Sequence, residues 1–525
     1  MNKELLLTTQ QKEFVGEVDV KHILSVKDAP YNAVGKNGVD DTKAIQVALN
    51  DAGALGTNTV YIPKGNYKIT SPLEVREGTK IIMDNEAVIE RHHNTWAMLN
   101  GKYGGTYKKY EAPGNIEIIG GIIDMMNADR KQTGNAIGFG HAKNIRVNGM
   151  TIKGVHNSHG FDLCGVKDVV IENCTFEDFT SDASHTYAEA VQLDAQMAGS
   201  FPGYDKESAD GTHSVNITIR NNTFRNVQRA FGAHSSAHNL WYNNIKFIGN
   251  NVEGTKNWAV SLIKVSGLEI KDNTFTRCYG GVRIMNSSGN DTIEITTGKE
   301  TGIHQGSSNI RITANNFNQV TDEHAVQLYS ADDSATFDKS FICNNIIMDV
   351  SSVGRRGIDC KRLQNSKVID NILSKINGNG IHLESKVACV DVQNNFLRDI
   401  FGSGIVVTKG FANMAINNNT LYSIGETGIV VYSDGVNISC ISNLVKDAGM
   451  NEPNRFYGLA MFTRVANSTV QGNSIHKSED KEKMLKYGIY VSSTTNEISS
   501  GGNHCSGIAV TQDNFFNPNS KLQLV

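Results

Sequence analysis

Residues 390–432, VDVQNNFLRDIFGSGIVVTKGFANMAINNNTLYSIGETGIVVY, state one pattern twice. An "apolar, x, x, Asn, x, apolar" phrase (VQNNF, then INNNTL) is followed about ten residues later by a Gly-led apolar run, GIVV at 404 and again at 428. The first phrase recurs as IRNNTF around Asn222, IGNNV around Asn250, IKDNTF around Asn273, ITANNF around Asn315, ICNNI around Asn344 and VQGNSI around Asn473. The second recurs as GFDL at 160, AVQL at 190 and 325, AVSL at 259, GVRI at 281, GIHL at 380 and GIYV at 488. Between Asn344 and Asn473, with Asp370 and Asn443 as members, successive marks fall 26, 24, 25, 24 and 30 residues apart. Each repeat therefore holds two or three short β-branched strands punctuated by Asn and Gly.

A period near 24 built this way fits one coil of a right-handed parallel β-helix, in which each strand pairs with its equivalent one coil on. The recurring Asn is expected to take a left-handed turn conformation and to stack its amide along the solenoid. A leucine-rich repeat needs Leu at several fixed positions, and a propeller needs roughly 40 residues per blade; neither fits. The expectation is an all-β chain forming one domain of about twelve coils over 115–502, with a C-terminal cap at 503–525.

Upstream, VDDTKAIQVALNDAGAL (39–55) predicts a helix capped by Asp41 or Thr42, with Ile45, Ala48, Leu49 and Ala52 on its apolar face. Such a helix would close the open solenoid end within a capping region at 31–114 that also holds the first coils. Residues 1–30 are too polar for a core and read as an attachment or partner segment. Across 525 residues, 50 Lys and Arg face 54 Asp and Glu with no basic run, which disfavours nucleic acid. No apolar stretch approaches the roughly 18 residues of a membrane span, and no secretory leader is read at the start. The eight cysteines are scattered without metal-ligand spacing, as expected of buried free thiols in a reducing compartment.

The pair NAVGKNGVDDTKAIQVALNDA (32–52) and NTVYIPKGNYKIT (58–70) resembles the N-terminal signature of the pectate-lyase superfamily of β-helix proteins. That signature is common in bacteriophage tailspikes and tail appendages that degrade surface polysaccharide. The resemblance implies a polysaccharide substrate, a homotrimer, and a virion or extracellular location with attachment through the N-terminus.

Regular coils leave no room for a site, so chemistry is expected where the repeat is stretched. Cys174 to Asn222 spans 48 residues and Asn273 to Asn315 spans 42. Loops should project at 178–189, 195–214, 234–244 and 286–308 and flank a groove at about 150–310. With Phe161, Val191, Phe231, Val260 and Val282 inward, alternation turns Asp162, Gln192, Gly232, Ser261 and Arg283 outward. Asp194 and His234 occupy the next outward column, and Glu189 sits at the corner entering its strand. One coil and two residues separate Asp162 from Asp194, about 8 Å, within the roughly 6.5–9.5 Å used by inverting glycosidases.

The expected working pair is Glu189 and Asp194, oriented by His234, with Asp162 as substitute for either. His159, Gln192, Tyr204, His238, Trp241, Trp258, Lys264 and Arg283 are the expected substrate contacts. A rival chemistry, β-elimination or C5 epimerisation of a uronic acid, would draw its base and its carboxylate-quenching cation from His159, His234, Lys264 and Arg283. HGFDLCG (159–165) is distantly similar to the GFD-containing active-site segment of β-helix mannuronan epimerases. A third reading is an adhesin that holds its glycan without cleaving it. No cofactor is expected: Asp205 and Asp210 lack a fixed ligand spacing and read as an ordinary solvated loop, with a bound calcium ion as the alternative.

Overall fold

In the chain, β-branched and aromatic residues alternate with polar ones over runs of three to seven residues, and each run pairs with its counterpart one repeat later. The computed structural model describes residues 23–55, 59–126, 133–182, 188–233, 235–288, 292–295, 297–331, 334–478, 485–492, 496–508, 515–516 and 523–524. Most of the expected attachment segment (1–22) and most of the expected C-terminal cap lie outside the described residues.

The chain divides into two units, Met1–Val260 with Asp291–Thr301, and Ser261–Asn290 with Gly302–Val525. In each unit, successive coils contribute one strand to each of three parallel sheets, the pattern of a right-handed parallel β-helix. Registers in the first unit include Val169↔Ile217 in the first sheet, Phe176↔Phe224 in the second and Phe161↔Val191 in the third. The second unit repeats this with Ile312↔Ile342, Leu373↔Leu397 and Ile381↔Ile405. Inward residues stack on their own kind: Phe176 lies 4.7 Å from Phe224, and Phe275 lies 4.7 Å from Phe317, both nearly parallel.

The described residues hold one α-helix, Thr42–Leu55, whose Ile45, Ala48, Leu49 and Ala52 are fully buried against the first strands. Asp41 stands at the cap position as expected, its carbonyl accepting from Ile45 N at 3.0 Å, but its carboxylate does not do the capping. Asp41 is turned inward, accepting from the backbone N of Val34 and Gly35, and Asp40 takes the capping role by accepting from Thr42 N at 3.1 Å. All eight cysteines are free, and Cys389 is exposed rather than buried.

The repeated Asn phrase divides its work between two residues. The left-handed position belongs to Asn344 (φ 57), Asp370 (φ 58), Asn394 (φ 55) and Asn418 (φ 57), whereas the stacked amide is the next residue along. Three of the marked positions are therefore one residue short of the ladder itself, which runs through Asn345, Asn371, Asn395, Asn419, Asn443 and Asn473. Asn395 accepts from the backbone N and the Nδ2 of Asn371 at 3.0 Å each. It donates through Nδ2 to Asn419 Oδ1 at 3.0 Å and to Val368 O at 2.9 Å. The first unit carries the same device, with Cys174 N and Asn222 Oδ1 2.8 Å apart and Asn222 Nδ2 donating to Asn250.

Asn395→Ala strands the Asn371 donors and the Val368 carbonyl in a dry interior. It should lower stability by about 2–3 kcal/mol, read from the guanidinium midpoint, whereas the exposed Lys367→Ala should stay within about 0.5 kcal/mol.

Candidate functional site

The third sheet of the first unit brings the candidate acids together. Its strands Phe161–Cys164, Glu189–Asp194 and Arg229–Gly232 pair with Asp162 opposite Gln192, Cys164 opposite Asp194, Glu189 opposite Arg229 and Gln192 opposite Gly232. Their outward side chains are nevertheless covered: Asp162 is 1% exposed, Glu189 0%, Gln192 3% and Asp194 2%.

The cover comes from loops that pack inward instead of lining an open groove. On one side Trp96, Leu99, Phe201 and Tyr204 form an apolar cluster on the sheet, with Phe201 4.6 Å from Trp96 and 4.7 Å from Tyr204. Gly138 makes this approach possible, since a Cβ there would sit 2.0 Å from the Trp96 ring. On the other side Ser236–Ala237 pairs with Thr292–Ile293, and Ala195, Met197 and Ala237 pack with Leu240, Ile293 and Ile295.

Two expected substrate contacts are buried. Tyr204 belongs to this packing and donates its hydroxyl to Asn100 O at 2.7 Å, and Trp258, in the strand Trp258–Ile263, is 3% exposed. His238 and Trp241 are half-buried. Lys264 and Arg283 belong to the second unit. There Lys264 is fully buried and donates to Gln305, with desolvation lowering its ammonium to about 8, while Arg283 donates to Ser261 Oγ at 3.2 Å. His234 lies outside the described residues.

The three carboxylates occupy different electrostatic settings. Glu189 accepts from Arg229 Nη1 at 2.6 Å with both side chains buried, so its charge is neutralised within the wall. His159 Nδ1 lies 3.0 Å from Glu189 Oε2 and 3.3 Å from Glu189 N, so a proton on Nδ1 serves the carboxylate and its absence serves the amide. Asp194 is an acceptor throughout: Ala195 N donates at 2.8 Å, Gln192 Nε2 at 3.1 Å, Tyr242 OH at 3.4 Å, and Ser235 Oγ donates as well.

Asp162 is the contrasting member. Its Oδ2 accepts from Asn135 Nδ2 at 2.9 Å, whereas its buried Oδ1 has no partner among the described residues. Burial first, then the charges of Asp194 and Glu189, raise this carboxyl well above the ordinary carboxylate range. Its bare, buried Oδ1 is the atom that a proton would satisfy. A carboxyl biased toward its protonated form and a hydrogen-bonded carboxyl are thus set diagonally across adjacent strands, about 8 Å apart along the backbone. Glu189, one of the expected pair, is tied to Arg229.

Arg229, Asn135, Ser235 and Tyr242 were not singled out by the sequence. Arg229 had a signal there, since it stands one coil on from Glu189 at the same strand position. The other three come from loops or from another sheet and gave none. Asp205 and Asp210 close their own loop: Asp205 accepts from Glu207 N at 2.8 Å, and Asp210 accepts from Thr212 N at 2.9 Å and Lys109 N at 2.8 Å. Among the described residues no three His, Cys, Asp or Glu side chains group closely enough to hold a metal ion. No described helix is long and apolar enough to cross a membrane.

Comparison with known proteins follows this geometry. Residues 23–283 match a family described as Rhamnogalacturonase A/epimerase, pectate lyase-like. The chain is 25% identical over 289 residues, 49% of its length, to Plasmin and fibronectin-binding protein A of Streptococcus pneumoniae, and spans 40% of that protein. It is 38% identical over 65 residues, 12% of its length, to Mannuronan C5-epimerase AlgE3 of Azotobacter vinelandii, of which it spans 3%. Among solved structures, the S. pneumoniae surface adhesin PfbA superposes with TM-score 0.54 at 20% identity, over 77% of this chain and 92% of that one. The tailspike of E. coli bacteriophage HK620, solved with a hexasaccharide, gives 0.56 at 12% identity, over 91% of this chain and 78% of the tailspike.

Asp162 binds more protons folded than unfolded, because its folded value lies above the ordinary 3.8. Its contribution to stability therefore falls as pH rises from about 4 toward that folded value. The thermal midpoint of Asp162→Asn should gain on wild type as pH rises above about 4. A gap that does not change with pH would mean that the carboxyl ionises normally.

Proposed function

Taking this chain as a pectate lyase-like parallel β-helix protein, we propose that it is a depolymerase that cleaves a bacterial surface polysaccharide by glycoside hydrolysis. The observation that carries the reading is Asp162, its carboxyl raised well above the ordinary range and its buried Oδ1 bare, beside an Asp194 that accepts several hydrogen bonds. Asp162 delivers the Oδ1 proton to the glycosidic oxygen as the bond from that oxygen to the anomeric carbon breaks. Asp194 takes a proton from the water whose oxygen bonds to that carbon from the opposite face. Proton exchange with solvent then returns Asp162 to the acid and Asp194 to the carboxylate. A spacing of about 8 Å leaves room for that water and favours inversion at the anomeric carbon. Glu189 and Arg229 hold the strands that carry the pair.

The HK620 tailspike, with its bound hexasaccharide, supports a polysaccharide as the partner and a virion or extracellular surface as the location. In that setting residues 1–30 serve as the attachment segment. A second reading, a glycan-holding adhesin, draws on the match to the S. pneumoniae protein over 49% of the chain. A lyase or C5-epimerase reading draws on the shorter epimerase match and on His159 beside Glu189.

Self-association, as in a homotrimer, is supported by an exposed apolar ladder on the second sheet of the second unit. Ile346, Ile372 and Phe396 stand in register and are 39%, 44% and 36% exposed. Light scattering should return three chain masses for wild type and a single one for Ile372→Lys.

Wild type, Asp162→Asn and Asp194→Asn should be incubated with a panel of bacterial polysaccharides, following reducing ends together with the absorbance of unsaturated uronate ends. New reducing ends without that absorbance are expected from wild type. Each variant should lose at least about a hundredfold in kcat while still binding. Absorbance rising in step would move the chemistry to elimination, and binding without either signal would leave the adhesin.

A further inference from the structure

The third sheet of the second unit carries a row of outward positions that this reaction does not use. Arg283, Gln327, Asp359, His382, Val406, Val430, Ala460 and Tyr490 follow one another strand by strand in register. At about 4.8 Å per strand, the row is about 34 Å long.

One end is polar, with its charge arranged in a particular direction. Asp359 is 2% exposed and its carboxylate is fully occupied: Arg356 Nη1 and His382 Nδ1, the latter at 3.0 Å, meet Oδ1, and Gln327 Nε2 donates to Oδ2 at 3.1 Å. His324 Nε2 stands 3.8 Å from the same Oδ2. Although burial works the other way, these donors hold the carboxyl well below its ordinary range. The one acid of the row is therefore spent on its neighbours. Arg356 keeps 26% of its side chain exposed, and the donors left over for a ligand are cationic or amide N–H groups.

The other end is an aromatic shelf. Val406, Val430 and Ala460 form its floor, with Tyr457, Phe462 and Tyr490 packed against them. Tyr432, 43% exposed, stacks on Phe462 at 5.4 Å, and Tyr457 lies 5.0 Å from Tyr490. Partly exposed aromatic rings clustered around an apolar floor mark a binding surface, and ring faces suit the apolar faces of sugars.

We propose that this row is a second carbohydrate site that binds an acidic polysaccharide. Sugar carboxylates meet the Arg356 end, and pyranose faces lie on the Tyr432, Phe462 and Tyr490 shelf. A second copy of the chain fits less well, because it would have to desolvate the partly exposed Arg356 guanidinium, whereas a glycan brings its own hydroxyls and carboxylates to it. The site stands apart from the hydrolytic reading, since none of its residues belongs to the Asp162–Asp194 pair.

The test is affinity electrophoresis of the full chain through gels containing polygalacturonate, alginate or neutral dextran, with Asp162→Asn as a background that does not rely on cleavage. At least one polyanion should retard wild type and Asp162→Asn alike, and dextran should not. Tyr432→Ala should bind about tenfold more weakly with its thermal midpoint and sedimenting mass unchanged. Arg356→Gln should weaken binding and flatten its dependence on salt. The proposal is overturned if neither polyanion retards wild type, if dextran retards it equally, or if both variants migrate as wild type does. A changed mass for Tyr432→Ala would likewise overturn it by making the shelf a contact between copies.

Discussion

The backbone pairing of each coil with the next, at a spacing of about 4.8 Å, is the constraint from which the rest of the structure follows. Because every pairing in the three main sheets is parallel and in register, a residue's nearest neighbour is the residue at the same position one coil later. That makes identity self-propagating. A buried Asn whose amide donates to the next Asn and accepts from the previous one satisfies its own polar groups only if its neighbours are also Asn. The ladder from Asn345 to Asn473 is this condition met coil after coil. The residue before each ladder Asn must turn into the left-handed region, which is why Asn, Asp and Gly crowd there.

The same geometry that favours an Asn ladder penalises a ladder of charges. Like charges one coil apart in a dry wall repel strongly, so each acid of the third sheets survives by a different remedy. Glu189 takes Arg229 from the next coil, Asp194 collects hydrogen bonds from loop and strand, and Asp359 draws on Arg356 and His382. Asp162 has no cation and one donor, so protonation is its remedy. A carboxyl biased toward its neutral form beside one held by several donors is the asymmetry that general acid and base work requires.

What was legible in the sequence divides along the same line. Coil period, inward alternation and the register of Asp162, Gln192 and Gly232 are properties of repeats, so counting recovers them. The one-residue offset between Asn344 and Asn345 was hidden because the phrase often holds two adjacent Asn, and only φ separates the turn from the stacked amide. The covering of the acids was not legible. It depends on Trp96 meeting Phe201 and on Ser236–Ala237 pairing with Thr292–Ile293 across long stretches of chain, and no local pattern encodes such contacts. Tyr204 and Trp258 looked like sugar contacts for the same reason: an aromatic residue in or beside a loop reads identically whether the loop stands open or folds down.

Stretched repeats and regular repeats support different kinds of site. Where the first unit inserts long excursions, loops fold down over the sheet and remove water, and in that dry setting the donors around Asp194 and the bare Oδ1 of Asp162 set the two carboxyls apart. From Asp359 to Ala460 the second unit's row is also buried, but Tyr432 and Arg356 beside it stay partly in solvent. A covered cluster of acids shifts pKa values; a row about 34 Å long with Tyr432 and Arg356 at its surface offers repeated contacts and suits holding a polymer. One coil geometry yields both, and the length of the excursion between strands decides which.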